Sequence, residues 1–211
     1  YGIGHLKGNT IMVNWIGTEN GTPPEYRIQR FGIYLRTAYR QGYNILLFSA
    51  DPSKWETLRD ISAENRRIDV WWRGDATSRL MILFAHMLCM NASWRGAKIR
   101  VLDISADIMA SGKTVADLEQ TLSEIRIAAQ PEIVASATAD GVTAYSKDAA
   151  LVFLPFRLVD NQPRDLFGDN LSELLLRLPV SVAVRAARNI DLTAEPESGH
   201  EEETADAKDG A

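Results

Sequence analysis

Apolar residues recur along this chain with two different periods, and the periods take turns. Thr10 to Ile16 is a short run in which Asn14 is the only strongly polar residue, as in a strand. A loop rich in Gly and Pro covers 17–24. Ile28, Phe31, Leu35, Ala38 and Tyr39 then repeat at helical spacing, which predicts a helix over Glu25 to Gln41 that stops at Gly42. Ile45 to Phe48 is an unbroken apolar run of the sort buried on both faces of a sheet, so Asn44 to Ala50 is read as a strand. Strand, helix, strand with a short return is a right-handed βαβ unit.

The alternation continues to the end of the body. A helix is expected over Trp55 to Asn65 and a strand over Arg67 to Trp72. Gly74 to Ser78 turns the chain, with Thr77 or Ser78 as the cap of a helix running to Asn91. That helix is apolar nearly all round and is expected to lie deep in the body. Ala97 to Ile104 reads as a strand. Lys113 to Ala129 reads as an amphipathic helix striped by Leu118, Leu122, Ile125 and Ala129 and closed by Pro131. Glu132 to Thr138 is a further strand, Asp140-Gly141 a turn with room for one local hairpin, and Ala150 to Phe156 another strand. Asn170 to Leu178 is a helix and Val180 to Ala186 the last strand. This order predicts an α/β fold: a doubly wound, mostly parallel sheet with helices on both faces. Adjacent Trp71 and Trp72 point to opposite faces of a strand, so both are buried only if the sheet is covered on both sides.

Length and charge divide the chain. With 211 residues it suits one domain, 1–191, and a tail, 192–211. The tail holds seven acids and one base, net −6 of the chain's −5, which leaves the body at +1. It has no large apolar residue after Leu192 and is expected to be disordered and solubilising. A nearly neutral body offers no footprint for a nucleic-acid backbone. The one cysteine, Cys89, excludes a disulfide framework and fits a reducing compartment. No signal peptide is visible, and no run reaches the ~18 apolar residues that cross a bilayer. The chain opens on Tyr1 in mid-motif, so it is expected to belong to a longer polypeptide.

Candidate chemistry is sparse. His86 and Cys89 stand at i and i+3 on the apolar helix, but two ligands do not make a zinc site. A Cys–His dyad would need solvent and an oxyanion site that such a helix does not offer. The plain reading is a core histidine beside a buried thiol. Gly17 to Gly21 carries an acid and no lysine. Gly112-Lys113-Thr114 matches the end of a phosphate loop, but Asp107 stands where its first glycine belongs. Arg73, Asp75 and Arg79 lie just past a strand's carboxyl end, where such folds place ligands. The commoner arrangement for such charges is a surface ion-pair cluster.

Ile68-Asp69-Val70-Trp71-Trp72, an acid-bearing turn, a long apolar helix, Trp94 and then Lys98-Ile99-Arg100-Val101 resemble, in that order, a block of one family. It is the carboxy-terminal cytoplasmic domain of the cation-chloride cotransporters and their prokaryotic relatives. Gly2-Ile-Gly4-His-Leu-Lys7-Gly-Asn9-Thr10 is similar to that family's Gly-Leu-Gly-x-x-Lys-Pro-Asn-Thr approach to a strand. Leu154-Pro155 resembles a late strand end, and Leu178-Pro179 through Val184-Arg185 its closing strand. The resemblance spans residues 1–188. Gly8 replaces the family's Pro, Ala76-Thr77-Ser78 replaces its Gly-Gly turn, and 139–149 is short where animal members carry a long charged insertion. The chain is therefore nearer a compact prokaryotic member.

The resemblance implies a regulatory and assembly module and not an enzyme. It would have a Rossmann-like fold similar to universal-stress-protein domains, at the cytoplasmic face of the cell membrane. It would be part of an integral membrane protein whose spans lie outside this chain. Its implied partners are a second copy, as a homodimer, and the transporter's own membrane domain. The motif residues are expected to be mainly structural, with Trp71 and Trp72 in the core. No cofactor or metal is expected. Nucleotide is disfavoured because 156–170, where related ATP-binding domains have a glycine-rich motif, holds only Gly168. Alternative readings are a universal-stress-type nucleotide-sensing module, or the same kind of domain on an amino-acid permease. An enzyme on this fold is the remotest, since no acid–base or nucleophile set is present.

Overall fold

The computed structural model describes residues 2–3, 6–16, 24–103, 115–134 and 138–188. A small hairpin, β1 (Gly2–Ile3) and β2 (Leu6–Lys7), precedes β3 (Thr10–Asn14), α1 (Glu25–Arg40) and β4 (Asn44–Ser49). Next come α2 (Pro52–Asp60), β5 (Arg67–Trp72), α3 (Ala76–Met90) and β6 (Lys98–Asp103). They are followed by α4 (Val115–Glu124), β7 (Gln130–Ile133), α5 (Ala139–Ser146) and β8 (Leu151–Pro155). The hairpin of β9 (Arg157–Val159) and β10 (Gln162–Arg164), then α6 (Leu171–Arg177) and β11 (Ser181–Arg185), complete the domain.

The expected α/β architecture is present. Seven strands form one sheet in the order β3-β4-β11-β8-β5-β6-β7, and every neighbouring pair is parallel except β4 and β11. Apolar runs make the centre. Ile45 and Leu47 of β4 face one core with Trp71, Val152, Leu154 and Ala183, whereas Leu46 faces the other with Val70, Trp72, Phe153 and Val182. Trp71 is 0% exposed and Trp72 5%, as a sheet covered on both sides requires. Helices α2, α3 and α4 pack on the Trp72 side, and α1, α5 and α6 on the Trp71 side. From β5 the chain crosses by α3 to β6. From β8 it crosses by α6, on the other face, to β11 on the other side. The winding therefore switches between β5 and β8, which are neighbours.

Several local expectations are corrected. Asp140-Gly141 makes no hairpin; it lies in the first turn of α5, where Thr138 Oγ1 accepts the Gly141 N–H at 3.1 Å and caps the helix. A hairpin forms instead at β9–β10, whose turn places Asp160 and Asn161 at φ 48 and 62, the double positive φ of a type I′ turn. Helix α2 starts three residues before Trp55, because Asp51 caps Lys54 N–H at 2.9 Å and Pro52 takes the first turn. Asp75, rather than Thr77 or Ser78, caps α3. Met87 and Met90 of α3 are 57% and 70% exposed, so this helix lies on the sheet with a solvent side and is not enclosed. Helix α4 ends at Glu124, with Arg126 at φ 55 just beyond, and Pro131 sits inside β7. An edge strand tolerates the missing N–H.

The acidic tail from Leu192, His5, His200 and the glycine-bearing segments 17–21 and 110–114 lie outside the described residues. No helix among the described residues is long and apolar enough to cross a membrane.

Gly32 fixes how α1 meets the β9–β10 turn. A Cβ there would lie 1.6 Å from the Asn161 carbonyl oxygen, and backbone cannot swing aside as a side chain can. Gly32→Ala is expected to lose at least the ~1–3 kcal/mol typical of overpacking in urea denaturation. A midpoint equal to that of the parent would mean that the hairpin moves freely.

Candidate functional site

Asp69 is 0% exposed in the middle of β5, an expensive place for a charge. Its partner comes from the next strand. The register sets Asp69 opposite Arg100. Arg100 Nε donates to Asp69 Oδ1 at 3.1 Å and its Nη2 to Oδ2 at 2.8 Å, a two-point grip. Arg67 Nε adds a bond to Oδ1 at 3.0 Å. Arg100 Nη1 reaches Glu132 Oε2 of β7 at 3.2 Å, so one guanidinium joins three parallel strands. Burial disfavours the Arg100 charge, but Asp69 and then Glu132 more than offset this and raise its pKa. The same side of β5 docks α5: Arg100 Nη2 donates to the Tyr145 carbonyl oxygen at 2.7 Å, and Trp71 Nε1 to Ser146 Oγ at 3.1 Å.

The two halves of the sequence signature are therefore cross-strand partners. Ile68, Asp69 and Val70 stand beside Ile99, Arg100 and Val101, with Lys98 opposite Arg67 at the strand ends. Trp94, in a 3-10 turn over Ala92–Trp94, is half-buried and carries the Arg66 guanidinium 5.0 Å from its ring centre. Apart from Lys98, whose side chain is exposed, each of these residues has a packing or pairing role.

Two concavities are set apart by their linings, one apolar and one polar. The first is a cleft of ≈ 690 Å³ on the α2–α3 side of the sheet. Leu46, Phe48, Phe153 and Val182 form its floor; Trp55 of α2, and Phe84 and Leu88 of α3, form its walls. Phe48 and Trp55 rings meet at 5.4 Å. Met12, on edge strand β3, completes the rim and is 64% exposed; Trp55 is 39% exposed. The helix layer parts here because α2 is short and β3 lies beyond it. The second is a polar pocket of ≈ 240 Å³ at the carboxyl ends of β5, β8 and β11, lined by Tyr39, Arg73, Asp75, Thr77, Arg157 and Arg185 among others.

Of the charges flagged from sequence, Arg73 and Asp75 both line the polar pocket, but they do not act as a simple ion pair. Asp75 Oδ1 takes the Ser78 N–H and hydroxyl, both at 2.9 Å. Arg73 Nη1 donates to the Leu166 carbonyl oxygen at 3.3 Å. Arg79, one turn on, does not line it. Sequence reasoning missed Arg157 and Arg185, which reach the pocket from two further strand ends; only the topology brings them together. Cys89 Sγ points to the Ala97 carbonyl oxygen at 3.8 Å, and burial raises its pKa. Among the described residues, no group of three or more His, Cys, Asp or Glu could hold a metal ion. No family model matches the chain.

Two outcomes are expected. Arg100→Ala leaves a charged Asp69 buried and should cost about 3–5 kcal/mol, towards the low end because Arg67 remains. A loss below about 1 kcal/mol in chemical denaturation would mean that water reaches Asp69. The thiolate is the reactive form of cysteine, and a raised pKa keeps Cys89 protonated at neutral pH. Its alkylation by iodoacetamide should be slower than that of a small free thiol, and should go on accelerating at pH values where the free thiol has levelled off.

Proposed function

We propose that this domain is a non-catalytic assembly and control module, of the kind that the cation-chloride cotransporters carry at their cytoplasmic carboxy terminus. In this role it pairs with a second copy and transmits to a membrane domain elsewhere in the polypeptide. The family part of the reading rests on the Ile68–Trp72 and Lys98–Val101 blocks. The position of these residues supports it, because all lie on two paired central strands and all but the exposed Lys98 are packed or ion-paired there.

The observation that carries the assembly part is the ≈ 690 Å³ apolar cleft beside an edge strand. Met12 and Trp55 offer large apolar groups around its mouth, above Phe48 on its floor, and among the described residues β3 has a strand neighbour on one side only. An edge strand next to an apolar surface is an aggregation hazard unless something covers it. A second copy placed about a two-fold axis covers both surfaces at once.

Sedimentation equilibrium on the 211-residue chain tests this. A concentration-dependent dimer is expected, and Trp55→Glu should weaken it at least tenfold with an unchanged circular dichroism spectrum. A monomer at every concentration, or a dimer indifferent to both Trp55→Glu and Met12→Lys, would remove the assembly reading.

A further inference from the structure

The polar pocket lies where the winding of the sheet switches. Ligands of doubly wound sheets bind in the crevice outside the carboxyl ends of the strands at this point. Arg73 follows the end of β5, Arg157 that of β8, and Arg185 closes β11; all three line the same ≈ 240 Å³ space. Asp75 is the one carboxylate in its lining, and that group already caps α3.

Three guanidinium groups around one small pocket repel one another unless an anion sits among them. Their hydrogen-bonding is also incomplete. Arg185 is held with its guanidinium 4.2 Å from the Tyr39 ring centre, and its Nε is shut off from water without a hydrogen-bond partner among the described residues. That donor is closed to a pocket anion as it is to water, so Arg185 contributes to the pocket through its other atoms and its charge. The Arg157 side chain is exposed, makes no hydrogen bond or ion pair among the described residues, and is free to close over a ligand. The amino end of α3, a helix of 15 residues, adds a favourable dipole at Thr77.

We propose that this pocket binds a small multiply charged oxyanion: phosphate, either free or as the terminal group of a phosphomonoester. Arg73, Arg157 and Arg185 supply the charge, and the planar forks suit its oxygens. Size argues for the phosphoryl group alone, since sites that enclose drug-sized ligands run to about 300–1,000 Å³. The site does not depend on the assembly reading, because none of its residues lines the apolar cleft.

Isothermal titration of the full chain with inorganic phosphate, and separately with phenyl phosphate, at constant ionic strength in chloride, tests the site. Saturable binding is expected, weakened at least tenfold by Arg157→Ala, an exposed position whose loss leaves the melting curve unchanged. Arg185→Lys, which keeps the charge but not the fork, should weaken it as well. Tighter binding of inorganic phosphate would assign the free ion, and tighter binding of phenyl phosphate an esterified group. Heats no larger than those of added chloride, or binding that survives both substitutions, would overturn the proposal.

Discussion

The contact between Asp69 and Arg100 constrains more of this molecule than any other. A carboxylate at 0% exposure in the centre of a sheet is tolerable only if its oxygens are fully engaged. Arg100 can engage them only when β5 and β6 lie parallel with Asp69 opposite Arg100. A slip of one residue would turn Arg100 to the opposite face, towards the apolar core under α3, and leave Asp69 with Arg67 alone. The pair thus sets the register of the central strands. It fixes the faces on which Trp71 and Trp72 are buried and the place where α5 lands, because Tyr145 and Ser146 accept bonds from Arg100 and Trp71.

With the register set, the winding decides where surfaces are left open. The sheet is closed on the Trp71 side by α1, α5 and α6, whose apolar residues share one core with Trp15 and Phe156. On the other side the helices follow β5 and β6, and the β3–β4 end receives only the nine-residue α2. The apolar cleft is what remains. The polar pocket has a different origin: three strands end together beside the reversed strand β4, and arginines follow or close each of them.

Period and turn chemistry made most of this legible from residues alone. The unbroken run Ile45–Phe48 and the Trp71-Trp72 pair were sufficient to require a sheet covered on both faces. The misplaced hairpin has a local cause: a dipeptide such as Asp140-Gly141 suits a hairpin turn and the first turn of a helix equally. Thr138, two residues before it, decides for the helix, and Asp160-Asn161 makes the hairpin although it contains no glycine. The antiparallel contact of β11 with β4 left no local trace, because both strands are buried runs whose pattern is the same in either direction. Arg157 and Arg185 escaped notice for the same reason as the reversal: each is unremarkable among its own neighbours, and only the strand order brings it to Arg73.

The two open surfaces share structural members. Val182 floors the cleft while Arg185 of the same strand faces the pocket; Phe84 and Leu88 wall the cleft while Thr77, at the other end of α3, faces the pocket. Sharing an element does not by itself couple two sites, since coupling requires that element to have two arrangements. Strand β11 is bonded on both sides, to β4 and to β8, and Ala183 and Val184 within it are 0% exposed. Met81, Ile82 and Ala85 seal α3 against the sheet at 0% exposure. Close-packed members of this kind have no second arrangement of comparable energy. Among the described residues, the sheet and α3 therefore form one close-packed frame that holds the apolar cleft and the polar pocket at a fixed separation.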